Sequence, residues 1–295
     1  MEFFRPASLA EALEIKAAHP GGIPIAGGTD LMVEINFDKR RPEVLIDLTV
    51  CPELQEWSRS NGTIRIGSGV SYSRLIAELA GELPGLAIAS RTVGSPQIRN
   101  RGTLGGNLGT ASPAGDGVPP LVAVGAEVEV ASTNGARTLP VAEFITGVKK
   151  NALAGDELIV AVHVPVAKGP QQFSKIGTRN AMVIAVATFS IALDLESRTV
   201  GTALGSSSPR PLRAHDAEEF IAAELDWAEH TPVPANVAER FGELVAGVAT
   251  PIDDVRGTAA YRRHALGVMA KRTLTWTWDE AGRLGAPAEW KGPRS

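Results

Sequence analysis

Short apolar runs alternate along the chain with breaks marked by glycine and proline, and the period of each run predicts its element. Ser8-Leu9-Ala10-Glu11 reads as a capping box that opens a helix, which Pro20-Gly21-Gly22 stops. Ile23 to Ala26 is a short buried strand. Gly27-Gly28-Thr29-Asp30 turns it into a second helix through Leu31, Met32 and Ile35, with Asp30 or Thr29 as the cap. Val44 to Leu48 is continuously apolar, the pattern of a parallel strand covered on both faces. Asn61-Gly62, between Trp57-Ser58 and Thr63 to Ile66, predicts a hairpin. Gly67-Ser68-Gly69 leads into a helix from Tyr72 to Leu79 capped by Ser71, and Leu83 to Thr92 is a second helical run. Leu121 to Val124 is apolar, and Glu127 to Val130 alternates as a half-exposed strand that Asn134-Gly135 turns back. Leu158 to Val164 is a strand closed by Pro165. This first part therefore mixes helices with strands of both parallel and antiparallel character.

Ala167-Lys168-Gly169-Pro170 is the linker candidate, and the pattern changes after it. Gln171 to Ile176, Val183 to Leu193 and Val200 to Leu204 read as strands joined by short turns. Helical segments follow around Ala217–Leu225 and Val237–Val248. A last helix comes after Asp253-Asp254, which reads as a cap, and places Tyr261, Ala265, Val268 and Met269 on one stripe. Arg262-Arg263 falls on its solvated face. The second part is thus α+β, a small antiparallel sheet with helices, ending in a mobile tail from about residue 281.

One stretch fits none of these patterns. From Gly102 to Gly109 four of eight residues are glycine and none is charged, and Thr110, Ser112 and Asp116 follow. Glycines admit close backbone approach, and hydroxyls with a carboxylate supply hydrogen bonds, so Arg99 to Asp116 reads as a binding loop. Together with Ala26 to Asp30 it makes two glycine segments in one domain, each suited to an anion nest for a phosphate or pyrophosphate. The Rossmann fingerprint is missing: in Gly67-Ser68-Gly69-Val70-Ser71-Tyr72 a tyrosine stands where the third glycine belongs, so this reads as an ordinary strand-to-helix turn.

Composition narrows the chemistry further. At 295 residues, 44% hydrophobic and 21% charged, the chain suggests two globular domains. A net charge of −4 removes the electrostatic case for nucleic acid. The single Cys51 excludes an internal disulfide and a thiolate-held cluster within this chain. The five histidines are scattered without metal-ligand spacing, and no Gly-x-Ser-x-Gly elbow occurs. With no secretion signal and no apolar run of membrane length, the expected compartment is the cytoplasm. A cofactor site without an acid–base–nucleophile team points to electron or hydride transfer through a bound cofactor.

The motifs as a set resemble the FAD-binding (medium) subunit of the molybdenum hydroxylases, the family of xanthine dehydrogenase and carbon monoxide dehydrogenase. The resemblance is carried by Ala26-Gly27-Gly28-Thr29-Asp30-Leu31, by Ile98-Arg99-Asn100-Arg101-Gly102-Thr103-Leu104-Gly105-Gly106-Asn107 and Ala111-Ser112-Pro113-Ala114-Gly115-Asp116, by Gly177 to Met182, and by Asp253 to Arg262. It implies a vanillyl-alcohol-oxidase (PCMH) type FAD-binding domain over residues 1–170, with subdomains of about 1–55 and 56–170. The family's C-terminal α+β domain would follow over 171–280. It further implies that Pro24, Ile25, Ala26, Gly27, Gly28, Thr29, Asp30 and Leu31 wrap the FAD pyrophosphate. Thr103 would contact the phosphate region, with Gly106, Asn107 and Thr110 completing the second loop. Asp116 would bond the ribityl or ribose hydroxyls. Val93 matches a position beside the flavin, so that it and Gly94 would form the flavin-side turn; Ile159 matches an apolar adenine-side or flavin-side contact, and Lys175 a lysine that contacts the cofactor. The cysteine motif with which some relatives hold an extra iron–sulfur cluster is absent.

The implied function is an electron-transfer flavoprotein. A large partner would carry molybdenum-pterin, and a small partner two 2Fe-2S clusters, in a dimer of heterotrimers. FAD would pass electrons to NAD⁺, oxygen, a quinone or another acceptor. The alternatives are a free-standing flavin dehydrogenase or oxidase and a scaffold subunit without FAD.

Overall fold

A computed structural model describes residues 1–284. The chain opens with β1 (Glu2–Phe4), α1 (Leu9–Ala18), β2 (Ile23–Ile25), α2 (Leu31–Asn36) and β3 (Val44–Asp47). β3 lies between β1 and β2, parallel to both, which is why its Leu45 and Ile46 are buried and its apolar run is unbroken. At α1 the Ser8 hydroxyl accepts the Glu11 N–H at 3.2 Å, while the Glu11 carboxylate accepts the Ala7 N–H at 2.7 Å. The far end of α1 is closed by buried Lys16, whose Nζ donates to the Pro20 and Gly22 carbonyls at 2.7 and 2.8 Å.

β4 (Trp57–Ser60) and β5 (Thr63–Gly67) form the expected hairpin, with Asn61 and Gly62 at φ +49 and +74 as a type I′ turn requires. Five helices then follow: α3 (Tyr72–Glu78), α4 (Pro84–Thr92), α5 (Pro96–Arg101), α6 (Leu104–Thr110) and α7 (Val118–Ala123). The chain returns through β6 (Glu127–Ser132), β7 (Gly135–Pro140), α8 (Val141–Phe144), the small hairpin β8 (Ile145–Gly147) and β9 (Lys150–Asn151), and β10 (Leu158–Pro165). β10 inserts between β5 and β6, so the sheet runs β4-β5-β10-β6-β7, antiparallel throughout. One face of this sheet carries the helices, where Leu75, Leu83, Leu104 and Leu108 pack on Ile66 and Val128. From the other face Leu158 and Val160 pack with Ala12, Ile46 and Cys51, and so tie the first sheet to the second. Burial pushes the Cys51 thiol up to about 11, which makes it an inert packing residue.

β11 (Gln171–Ile176), β12 (Ala187–Asp194) and β13 (Thr199–Gly205) are antiparallel in chain order. α9 (His215–Glu224), α10 (Ala235–Gly247) and α11 (Ala259–Leu284) follow, and their core side chains, among them Phe241, Leu266 and Trp278, pack with Phe189 and Ile191. α7 lies against β12 and β13, so this sheet is covered by helices of both halves of the chain. At the contact a Cβ on Gly201 would fall 2.0 Å from the Ala123 carbonyl oxygen.

Several expectations need correcting here. β12 begins at Ala187, and Val183 precedes it. On α11 the buried stripe runs through Ala265, Leu266, Met269, Ala270, Leu274 and Trp278, whereas Tyr261 is exposed and Val268 half-buried. Arg262 is not solvated. It is 4% exposed, with Nη1 donating to the Val186 and Ser206 carbonyls at 2.7 and 3.2 Å and Nη2 to Asp254 at 2.6 Å. Of the pair expected to cap α11, Asp253 accepts the Ala259 N–H beside Thr258, whose Oγ1 accepts the Tyr261 N–H at 3.1 Å, while Asp254 is instead the partner of Arg262. Residues 281–284, where a mobile tail was expected to start, are still helical, and the rest of that tail lies outside the described residues. No helix among the described residues is long and apolar enough to cross a membrane.

Candidate cofactor site

The two glycine segments meet. A Cβ on Gly27 would lie 2.0 Å from the Arg101 carbonyl oxygen and 3.0 Å from Gly102 Cα, an approach that glycine alone permits. Gly28 holds φ +71. Thr110 Oγ1 donates to Asp30 Oδ2 across the same seam at 3.4 Å, and Lys149 pairs with Glu34 of α2. The main-chain N–H groups of Gly27, Gly28, Thr29 and Asp30 find no acceptor among the described residues, which leaves a run of donors on one turn. Asp30 precedes α2 without capping it by its side chain, because the carboxylate is turned toward Thr110 and Lys149. Pro24, Ile25, Ala26 and Leu31, also expected at this site, flank the turn and are half-buried.

Arg99 to Asp116 is not a loop. α5 and α6 occupy most of it, and α6 persists despite its glycines because its first turn is pinned from outside. Thr103 Oγ1 accepts the Gly106 N–H at 2.9 Å, Leu104 N–H donates to Val70 O at 3.3 Å, and Gly105 N–H donates to Ser68 O at 3.0 Å. Asn107 N–H reaches Thr103 O at 3.1 Å. All four donors of the first turn are therefore used, and the anion nest expected in this segment is not formed. The glycines do something else. Gly105 packs on Ser68, where a Cβ would meet the serine Cβ at 2.4 Å. Gly106 and Gly109 are exposed, with nothing near a Cβ except Thr103 Oγ1 at 3.0 Å and Ile159 Cδ1 at 3.6 Å respectively. They leave a helix face bare of side chains, with Ile159 beneath Gly109 and Asn151 Nδ2 bracing the Gly109 carbonyl at 3.0 Å.

Asp116 and Lys175 form the second part of the site. Asp116 Oδ2 accepts from Lys175 Nζ at 2.5 Å and from Thr92 Oγ1 at 2.9 Å, while Lys175 Nζ also reaches Thr92 O at 3.3 Å. Their side chains are 5% and 9% exposed, so the lysine is no surface strand residue. Burial pushes the Asp116 carboxyl above its ordinary range, partly offset by the Lys175 charge and hydrogen bond and by Thr92. Asp116 Oδ1 is buried with no partner, as are Asn107 Oδ1 and the Tyr72 hydroxyl. Buried polar atoms are normally satisfied, so such orphans mark places where a bound group or water completes the bonding. Val93 ends α4 and packs half-buried on the core, and Gly94 follows at φ +47. A cleft of about 390 Å³ opens there, its wall including Arg91, Thr92, Gly94, Arg99, Lys175 and Arg179.

The predicted residues thus fall into two neighbouring groups: one around Gly27–Asp30, Thr103–Thr110 and Ile159, the other around Val93–Gly94, Asp116 and Lys175. Thr92 and Asn151 were not singled out by the sequence, and Arg99 entered only as the edge of the glycine segment; each acts through a partner remote in the chain or through a main-chain bond that its type and spacing do not announce.

Unsatisfied main-chain donors in a turn, a bare helix face and a buried carboxylate with an open oxygen define a cradle for an extended, phosphate-containing cofactor, on a sheet that is not the Rossmann one. Residues 1–167 match the family described as the FAD binding domain in molybdopterin dehydrogenase, and residues 172–277 the CO dehydrogenase flavoprotein C-terminal domain. The chain belongs to this family, the FAD-binding subunits of the molybdenum hydroxylases, and is an oxidoreductase subunit with the family's α+β architecture. It is 28% identical to the xanthine dehydrogenase FAD-binding subunit of Escherichia coli O157:H7 over 95% of this chain and 97% of that one. It is 34% identical to the nicotinate dehydrogenase FAD-subunit of Eubacterium barkeri over 75% and 79%. Its structure superposes on carbon monoxide dehydrogenase from Hydrogenophaga pseudoflava with a TM-score of 0.86 and 29% identity, covering 95% of this chain and 98% of that one. The residues present fit FAD: the bare face admits its backbone-close approach, and the open Asp116 oxygen can accept from a hydroxyl of its sugar portion.

Proposed function

We propose that this chain holds FAD as an intermediate electron carrier, receiving electrons from the 2Fe-2S clusters of a small partner subunit and passing them to an external acceptor. A large molybdenum-pterin subunit would oxidise the substrate, and the whole would assemble in the cytoplasm as a dimer of heterotrimers. The division into an FAD-binding part over 1–170, with subdomains of about 1–55 and 56–170, and a C-terminal part over 171–280 belongs to the same reading. The observation that carries it is the conjunction of the donor run at Gly27–Asp30 with the bare Gly106–Gly109 face and the orphaned Asp116 oxygen.

Bound FAD supplies the two-electron redox chemistry that no side chain here supplies. The chain's own contribution is to bind and orient. The N–H groups of Gly27 to Asp30 hold the pyrophosphate, assisted by Pro24 to Ala26 and Leu31, which shape the turn. Thr103, Asn107 and Thr110 flank the phosphate region, and Gly106 and Gly109 let the cofactor lie against helix backbone. Asp116 Oδ1 accepts a ribityl or ribose hydroxyl. Lys175 keeps that carboxylate oriented and offsets its charge. Val93 and Gly94 form the turn beside the ring, and Ile159 supplies apolar footing.

A visible spectrum of the purified chain tests the reading: flavin bands at one equivalent are expected. Co-purifying iron and molybdenum would support the assembly. Turnover of a substrate by the chain alone, with neither metal present, would favour a free-standing flavoenzyme instead.

A further inference from the structure

The carbonyl end of α4 and the corner after it converge on one side chain. Arg99 Nη1 points at three main-chain oxygens, those of Arg91 at 3.2 Å, Val93 at 3.1 Å and Gly94 at 3.1 Å. The last carbonyls of a helix have no helical N–H to bond, and Gly94 holds a left-handed φ of +47. The two N–H groups of Nη1 are thus shared among three acceptors of a corner that Lys175 also braces at Thr92 O, and the guanidinium lays a positive charge against the negative end of the α4 dipole.

The same guanidinium has a second exposure. Arg99 is half-buried and forms part of the wall of the 390 Å³ cleft together with Thr92, Gly94 and Lys175. The residues forming that wall include no carboxylate. The Lys175 charge is met by Asp116, but no carboxylate pairs with Arg99 among the described ion pairs, although most arginines that brace the rest of the chain have one. Carbonyl dipoles orient the charge without cancelling it. It is therefore a fixed, partly desolvated cation facing the place where the flavin reading puts the ring.

We propose that Arg99 is a positioning residue for the flavin, with two separable effects. It clamps the Val93–Gly94 corner in the shape that receives the ring, and its charge raises the reduction potential of a ring that gains electron density on reduction. The inference rests on the FAD reading of the preceding section.

Two full-length variants test it, purified with whatever partner subunits the wild type brings. Flavin content, the FAD dissociation constant and the midpoint potential are measured for each, with a thermal melt to monitor folding. Arg99→Gln should bind FAD about tenfold more weakly, the loss expected for charge-assisted bonds to an ordered corner, and should shift the potential to lower values. Arg99→Lys keeps the charge but cannot span the three carbonyls in the same geometry. It should lose affinity while holding the wild-type potential, and because it is the milder change it carries the test if Arg99→Gln does not fold. Arg99→Gln with wild-type affinity and potential would reduce Arg99 to a helix cap and overturn the proposal. A lowered potential in Arg99→Lys equal to that of Arg99→Gln would overturn the charge effect. A wild-type chain that takes up no FAD would overturn the cofactor reading itself, a distinct failure visible before any variant is made.

Discussion

Lys175 Nζ lies 2.5 Å from Asp116 Oδ2, across 59 positions of chain, and joins β11 of the C-terminal sheet to the turn that precedes α7. Both side chains are almost sealed from water, so each charge depends on the other. Removing one partner of such a pair strands the other, whereas removing both does not. Asp116→Asn should therefore destabilise the chain by roughly 3–5 kcal/mol, and Asp116→Asn combined with Lys175→Met should recover most of that loss. Urea unfolding of the single and double variants measures the difference. Flavin content should fall in Asp116→Asn alone, because Lys175 takes the one remaining side-chain oxygen and leaves an amide N–H₂ toward the cofactor, and it should partly return in the double variant, where that oxygen is free.

The two kinds of glycine at the site predict opposite behaviours. Gly27→Ala places a Cβ 2.0 Å from the Arg101 carbonyl oxygen, so main chain must move and both stability and FAD retention should be lost. Gly106→Val brings a Cβ to 3.0 Å from Thr103 Oγ1 and meets nothing else, so a small shift of that hydroxyl should let the chain fold with only a modest loss of stability yet retain no FAD. Thermal melts read beside the flavin absorbance separate the outcomes. Full flavin content in Gly106→Val would mean that the bare helix face is not the cradle.

Arg262 offers a prediction away from the cofactor. Its guanidinium bonds Val186 O, Ser206 O and the Asp254 carboxylate, and so fastens the start of α11 to the ends of β12 and β13. Asp254 is held below its ordinary range by the Arg256 N–H and then by Arg262. Arg262→Met should cost roughly 2–4 kcal/mol, because two buried carbonyls lose their donor and the carboxylate loses its buried partner. Denaturant unfolding checks it, and faster amide exchange around Val186 and Asp254 should accompany the loss.

A pH dependence follows from a row of side chains on β5, β6 and β10. Arg65 donates to Glu129 at 2.8 and 3.0 Å, and His163 Nε2 lies 2.7 Å from the same carboxylate. The Arg65 hydrogen bonds foremost, with His163 assisting, hold Glu129 below its ordinary value of 4.5 against the opposing effect of burial. A carboxyl whose folded value is lowered contributes stability that is complete above its unfolded value and is lost as pH falls through the folded one. Glu129→Gln should accordingly lower stability by roughly 1 kcal/mol near neutral pH, the scale of a partly exposed pair. The gap from wild type should narrow below pH 4.5. Urea midpoints of the two proteins at neutral and acid pH give the comparison.

Much of the architecture was legible in the order of residues, because its signals are local. Ser8 and Glu11 lie within one helical turn of each other, Asn61-Gly62 dictates its own turn, and the unbroken run at Val44 to Leu48 admits burial on two faces. The glycine segments likewise marked where two stretches of main chain come together, since such an approach is possible only where no Cβ stands in the way, and their order along the chain carried the family resemblance. What the sequence could not determine were relations between remote segments. A run with four glycines reads as a loop by propensity, and it becomes α6 only because Ser68 and Val70 accept its first-turn donors; those same bonds remove the anion nest the glycines suggested. Arg262 reads as solvated until Asp254, Val186 and Ser206 surround it, Lys175 as a surface lysine until Asp116 meets it, and Arg99 as one base among many until three carbonyls converge on it. Charge and burial are properties of the neighbours that folding brings, and those neighbours are many residues away in all but the last of these cases.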